Sequence, residues 1–159
     1  MSNFNIRLAQ KSDAQTILNY IKKIAEYEKM SDCVVNTKEL IEQVVFDDGK
    51  AKVFIGEEDG KPVGFALFFE TYSTFVGKTG IHLEDLFVDE EKRGSGYGKK
   101  LFKAVIEYAY SHGCERVDWV CLDWNTPSQK FYDYMGVSYL REWRLYRLAG
   151  GSIKDALDK

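Results

Sequence analysis

The stretch Arg93-Gly94-Ser95-Gly96-Tyr97-Gly98-Lys99 has the composition of an anion-binding turn. Three glycines at alternate positions let the backbone approach a ligand closely, and the first N–H groups of a following helix have no acceptor within that helix. A helix N-terminus also carries partial positive charge, so a phosphate or pyrophosphate is the natural guest. The glycines alone leave a plain strand-to-helix turn equally open. Glu84 is the second residue of interest. It sits inside the apolar run Ile81-His82-Leu83-Glu84-Asp85-Leu86-Phe87-Val88, where a carboxylate is uncommon unless paired or functional. In a regular strand Asp85 points to the opposite face, as a structural or second-site acid. Glu26, Tyr27 and Glu28 put two acids around an aromatic ring at the end of a helical segment. They can wall a pocket for a cationic amine or lie solvated at a helix end.

Other reactive side chains fit less well. His82 and His112 fall on different elements and read as satisfied edge or surface histidines. Cys121 has no histidine near it in sequence, which disfavours a covalent thiol mechanism. Ser95 lies where it binds rather than attacks. Cys33, Cys114 and Cys121 are odd in number and lack metal-ligand spacing, so no metal is expected and the thiols read as reduced and cytoplasmic.

The elements that must hold these residues follow from periodicity. Phe4, Ile6 and Leu8 alternate as a first strand, and Ala14 to Ala25 carries a helical apolar stripe after Ser12 or Asp13 as cap, running to about Lys29. A second helix starts near Thr37 with Leu40, Ile41, Val44 and Val45 as its buried face and ends at Asp48-Gly49. Ala51–Gly56 and Val63–Thr71 read as a hairpin around Asp59-Gly60-Lys61-Pro62, the second strand apolar enough to be central. A loop from Tyr72 to Gly80 precedes the strand at Ile81. Leu101, Phe102, Val105, Ile106 and Ala109 mark the helix after the glycine turn, and Arg116–Leu122 a further strand. A short helix opens at Thr126-Pro127-Ser128, carries Phe131, Tyr132 and Met135, and stops at Gly136. Val137–Leu148 reads as a last strand. The order is β-α-α-β-β-β-α-β-α-β, an α/β chain with a mixed sheet and helices on both sides. A doubly wound dinucleotide fold fits poorly, because the glycine turn comes late and has an arginine at its head. One domain over 1–149 with a polar tail over 150–159 is expected.

Composition excludes several classes. The chain has 159 residues and a formal net charge of −3, with a pI near 5.5, which gives no electrostatic case for nucleic acid and a weak one for cationic substrates. Met1 to Asn5 has no basic region leading into an apolar core, and no apolar run reaches membrane-spanning length, so a cytoplasmic protein without membrane partners is expected. Tyrosine and phenylalanine are frequent, ten of each, which suits a core or an aromatic-lined channel.

Arg93-x-x-Gly96-x-Gly98 between a strand and a helix resembles the coenzyme A pyrophosphate loop of the Gcn5-related N-acetyltransferase (GNAT) superfamily. Asp123-Trp124-Asn125-Thr126-Pro127-Ser128, then Phe131-Tyr132 and Gly136, resembles that family's later motif, and the likeness covers essentially the whole chain. Within the superfamily the chain is most similar to the diamine (spermidine/spermine) and thialysine acetyltransferases. The similar segments are Glu26-Tyr27-Glu28-Lys29-Met30, Leu83 to Val88, Trp124 to Tyr132, Trp143-Arg144-Leu145-Tyr146 and the loop Thr71 to Lys78. Ser73 stands where the polyamine enzymes have an aspartate, and Phe75 replaces a tryptophan. These departures, and a shorter turn into Trp143, point away from spermidine and spermine and leave a smaller amine open.

The resemblance implies the GNAT acyl-CoA N-acyltransferase fold, acetyl-CoA as co-substrate, a small cationic amine as acceptor, and a homodimer with the pocket near its interface. It implies that Arg93, Gly94, Ser95, Gly96, Tyr97, Gly98 and Lys99 hold the pyrophosphate. The backbone of Leu86, Phe87 and Val88 would pair with the pantetheine arm, which Asn125, Ser128 and Tyr132 also contact. An alkylammonium with pKa near 10.4 must lose its proton before attack, and Glu84, acting through water, is the candidate acceptor. Tyr132 is the candidate donor to the departing sulfur. Tyr27, Glu28, Glu84, Phe75 and Trp143 are expected to bind the amine. A protein or peptide acetyltransferase, or a coenzyme-binding module without catalysis, are the competing readings.

Overall fold

The computed structural model describes residues 3–158; Met1 and Ser2 of the N-terminal segment and Lys159 of the tail lie outside the described residues. Strands β1 (Phe4–Leu8), β2 (Lys52–Glu58), β3 (Lys61–Ser73), β4 (Lys78–Val88) and β5 (Val117–Asp118) form one sheet in sequence order. The first three pairings are antiparallel and β4 with β5 is parallel, so the sheet is mixed, as its sequence pattern indicates. β3 is the central strand, with Val63–Ala66 and Phe68 buried.

One face is covered by α1 (Ala14–Tyr27) and α2 (Lys38–Ile41). There Ala14, Ile17, Leu18, Tyr20 and Ile41 bury against Val53, Ile55 and Phe65, with Leu67 and Phe87 packed at the margin. Thr37 caps α2, its hydroxyl accepting from the Leu40 N–H at 3.2 Å, a contact worth about 1 kcal/mol. From Glu42 to Asp47 the helix widens to a π-helix. Ile41 is buried and Val45 packs on the core, whereas Val44 within the widened turn and Leu40 before it, both expected inside, are exposed.

The other face is covered by α3 (Tyr97–Ser111), through Leu101, Phe102, Val105 and Ala109. Gly64 permits the close approach. A Cβ there would stand 2.7 Å from the Phe87 carbonyl and 3.2 Å from the Leu101 side chain. The expected loop from Tyr72 to Gly80 is instead a tight hairpin tip, because β3 and β4 pair as far as Ser73 with Lys78.

The chain divides into two units, Met1–Val120 and Cys121–Lys159. The second holds α4 (Thr126–Tyr134) and a short α5 (Gly151–Asp155). α4 is capped by Asn125, whose side-chain oxygen accepts from the Ser128 N–H at 3.4 Å, and Gly136 ends the segment at φ 74°. Two strand expectations need correction. β5 is two residues long rather than spanning Arg116–Leu122, and Val137–Leu148 contains no strand. Along 137–149 the side chains are largely exposed, Tyr139, Trp143 and Tyr146 among them, and no ladder partner is present among the described residues. An apolar-rich alternation without a partner edge has nothing to pair with.

Candidate active site

The glycine turn is built as an anion cradle. β4 ends at Val88, a single turn over Glu90–Lys92 follows, and α3 begins at Tyr97. Gly94 and Gly96 both stand at φ 80°, in the left-handed region that favours glycine, and a Cβ on either would meet nothing within 4 Å. Their requirement is therefore conformational. Arg93 N–H is satisfied by Glu90 and Lys100 N–H by Gly96, each at 3.1 Å. Between them the N–H groups of Gly94, Ser95, Gly96 and Gly98 have no acceptor among the described residues. Residues 93–96 are exposed and Gly98 is half-buried. Four such donors at the start of a fifteen-residue helix fit a pyrophosphate.

The turn is tied to the end of α1 and to β4. Arg93 donates from Nε to the Val88 carbonyl at 3.2 Å, and its guanidinium lies 5.0 Å from the Tyr27 ring centre and 5.3 Å from that of Phe87. Asp89 takes hydrogen bonds from Tyr20 Oη at 3.3 Å and Lys23 Nζ at 2.5 Å. The arginine side chain thus braces the loop while the backbone offers the donors.

Beside the loop, β4 has an open edge. On one side it pairs with β3 along its whole length; on the other it meets β5 only at Ile81 and His82. From Leu83 to Val88 no strand occupies that edge among the described residues, so Leu86, Phe87 and Val88 can receive an extended chain.

A β-bulge decides where the acids go. Leu67 pairs with Asp85 and Phe68 with Leu83, leaving Glu84 as the extra residue. The expectation that Asp85 faces away from Glu84 therefore fails, because the strand is not regular there. Asp85 shares its face with Leu67, which packs on the core under α1 and α2. Burial, then the negative charges of Glu84 and Glu28, push its carboxyl up to about 7. Glu28, at the end of α1, is itself raised by burial. Glu84 is half exposed, its side chain at 54 %, and its Oε2 lies 3.3 Å from His82 Nε2. His82 stacks on Phe69 with ring centres 5.0 Å apart.

Arg93 thus meets Tyr27 and Phe87, while Glu28 and Glu84 lie within electrostatic reach of Asp85 and His82 stands beside Glu84. Asp85 was legible as a break in alternation, since Ile81 and Leu83 are followed by Leu86 and Val88. His82 was legible only as the residue two before Glu84. Phe75 is fully exposed at the hairpin tip. In the second unit, burial and Cys121 push the Tyr132 phenol up to about 12. Asn125 is buried at the start of its helix, and Trp143 is 77 % exposed. His112 is satisfied by the Tyr108 carbonyl at 2.8 Å. Among the described residues no cluster of three His, Cys, Asp or Glu side chains could hold a metal, and no helix is long and apolar enough to cross a membrane.

A model of the acetyltransferase (GNAT) family matches residues 16–137. A thialysine N-epsilon-acetyltransferase of Caenorhabditis elegans is 34% identical over 166 aligned positions, covering 100% of both chains. An L-ornithine N5-acetyltransferase of Arabidopsis thaliana is 44% identical over 96 positions, 60% of this chain and 42% of that one. Among solved structures, an integron cassette protein from the mobile metagenome of V. cholerae superposes with a TM-score of 0.82 at 25% identity over 98% of each chain.

Proposed function

The chain belongs to the acetyltransferase (GNAT) family and is an N-acetyltransferase, and from that premise we propose that it moves the acetyl group of acetyl-CoA to a primary amine of a small cationic acceptor. The acceptor is a diamine, a polyamine or a lysine-like amino acid such as thialysine. The observation that carries this reading is the group Glu28, Glu84 and Asp85 on the unit that also bears the anion cradle. Asp85, held up to about 7 first by burial and then by the negative charges of Glu84 and Glu28, sits where a bound cation would favour its ionised form. The relatives acting on thialysine and L-ornithine support an acceptor of that kind.

Bound acetyl-CoA would supply a thioester carbonyl for direct attack by the amine in a ternary complex. The N–H groups of Gly94, Ser95, Gly96 and Gly98, with Arg93, Tyr97 and Lys99 of the same turn, hold the pyrophosphate. The open edge at Leu86, Phe87 and Val88 takes the pantetheine arm, with Asn125 and Ser128 as further contacts. Glu28 and Asp85 bind the ammonium beside Tyr27, and Glu84 accepts its proton through water. Tyr132, at a pKa of about 12, is a weaker acid than a thiol near 8.5, so complete proton transfer to sulfur costs roughly 5 kcal/mol. Its role is to donate a hydrogen bond to the developing thiolate.

Phe75 and Trp143 reach the amine in a homodimer. The wholly exposed Phe75 and the exposed Tyr139, Leu140, Trp143, Leu145, Tyr146 and Leu148 support that assembly. Three cysteines outside any disulfide fit a reducing compartment, and the proposed place of action is the cytoplasm. Initial velocities measured with acetyl-CoA and thialysine varied together test the ternary complex. Intersecting double-reciprocal lines are expected; parallel lines with an isolable acetyl-enzyme would overturn it.

A further inference from the structure

Glu58 sits at the end of β2, outside the group of residues proposed to bind the amine. Its carboxylate accepts from two residues that flank the glycine turn. Tyr97, the first residue of α3, donates its hydroxyl to Glu58 Oε1 at 2.5 Å. Lys92, the last residue of the turn before Arg93, donates its ammonium to Glu58 Oε2. Between these two points of attachment lie only Arg93, Gly94, Ser95 and Gly96. Two of the four have φ of 80°, a conformation the turn must keep if its N–H groups are to converge on one anion. Glycines keep it poorly unaided, because they have more backbone freedom to lose than other residues.

Both ends of the brace are fixed. Tyr97 is buried at 6 % exposure and stacks on Phe4 with ring centres 4.0 Å apart and planes 8° from parallel. Glu58 keeps 14 % of its side-chain exposure and Lys92 37 %, so the ion pair is shielded more on the acid's side than the base's. A lone carboxylate near an anion site repels the guest; paired with Lys92, this one holds the turn without a net opposing charge.

We infer that Glu58 is a positioning residue for the coenzyme: it ties Lys92 to Tyr97 and so holds the turn 93–96 in its anion-binding conformation. The inference rests on the reading of that turn as the pyrophosphate site. It sets Glu58 apart from the amine side, so its loss acts on one substrate only. Glu58→Ala removes both attachments. Glu58→Gln keeps an acceptor for Tyr97 and loses the ion pair.

The test is calorimetric titration of coenzyme A into wild type, Glu58→Ala and Glu58→Gln, with KM for the amine measured alongside and thermal melts confirming that each variant is folded. Expected are a Kd for coenzyme A weakened about tenfold in Glu58→Ala, which corresponds to the loss of one or two net hydrogen bonds, a smaller loss in Glu58→Gln, and an unchanged KM for the amine. Binding within twofold of wild type in Glu58→Ala, or a parallel rise in the amine KM, overturns the inference and leaves the coenzyme reading standing. If Glu58→Ala fails to fold, Glu58→Gln decides the matter on the same titration, expected to weaken coenzyme A by a few-fold, with binding unchanged from wild type overturning the inference. Failure of wild type to bind coenzyme A overturns the site reading itself.

Discussion

Asp85 is the residue whose environment says most about the chemistry. Its carboxyl is raised from 3.8 to about 7, first by burial and then by Glu84 and Glu28. A carboxyl whose folded pKa lies above its unfolded one costs stability as it ionises. The native state is favoured below about pH 4, loses that advantage as pH rises to about 7, and changes no further on this account above it. Asp85→Asn is therefore expected to raise the melting temperature at pH 8 relative to wild type, by up to ~4 kcal/mol of stability, and to leave it little changed near pH 4. A bound ammonium needs the same group ionised. The wild-type KM for the amine should rise as pH falls below 7, and Asp85→Asn should flatten that dependence while weakening amine binding. A melting point that moves equally at both pH values would contradict the assignment. Tyr132 gives a second residue-scale test. Tyr132→Phe removes the proposed hydrogen-bond donor to the leaving sulfur and should lower kcat about a hundredfold with coenzyme affinity held. Unchanged turnover would remove that role.

At the scale of elements, the β4 strand does three jobs. It pairs with β3, leaves an open edge from Leu83 to Val88, and carries the bulge at Glu84 that turns Asp85 to the α1 face. The contact that sets β3 against it is Gly64, where a methyl group would lie 2.7 Å from the Phe87 carbonyl. Gly64→Ala must push the two strands apart or strain them, and should lower stability by about 1–3 kcal/mol, read as a shift in denaturation midpoint; an unshifted midpoint would show that the strands yield freely. Periodicity made most of these elements legible. The alternation in β1, the stripe of α1 and the apolar run of β3 each bury a face, and burial repeats with the element's own period. Two features break the period and so escaped it: the π-helix at Glu42–Asp47, in which Val44 is exposed, and the bulge at Glu84. The anion cradle was legible in the glycines, because a φ of 80° is a property of the residue type. The acidic group of Glu28, Glu84 and Asp85 was only half legible, because Asp85 reaches it through a register shift that spacing within one strand does not state.

For the whole molecule, the stretch 137–149 is the main departure from pattern. It reads as a strand yet pairs with nothing among the described residues, and it exposes Trp143, Leu145 and Tyr146. Surface of that kind is covered in an assembly. Light scattering at micromolar concentration should return twice the 18.3 kDa chain mass, and Trp143→Asp should shift it toward the monomer; a monomeric wild type would contradict the dimer. Above assembly stands the reaction. Release of free thiol from acetyl-CoA, followed across a panel of diamines, polyamines, thialysine, lysine and ornithine beside uncharged and anionic amines, tests the central claim most directly. Turnover is expected only with acceptors that carry a primary amine on a cationic molecule, fastest for the smaller members and lost at acid pH. Thiol release no faster than acetyl-CoA hydrolysis with every amine, or equal rates with anionic acceptors, would contradict it.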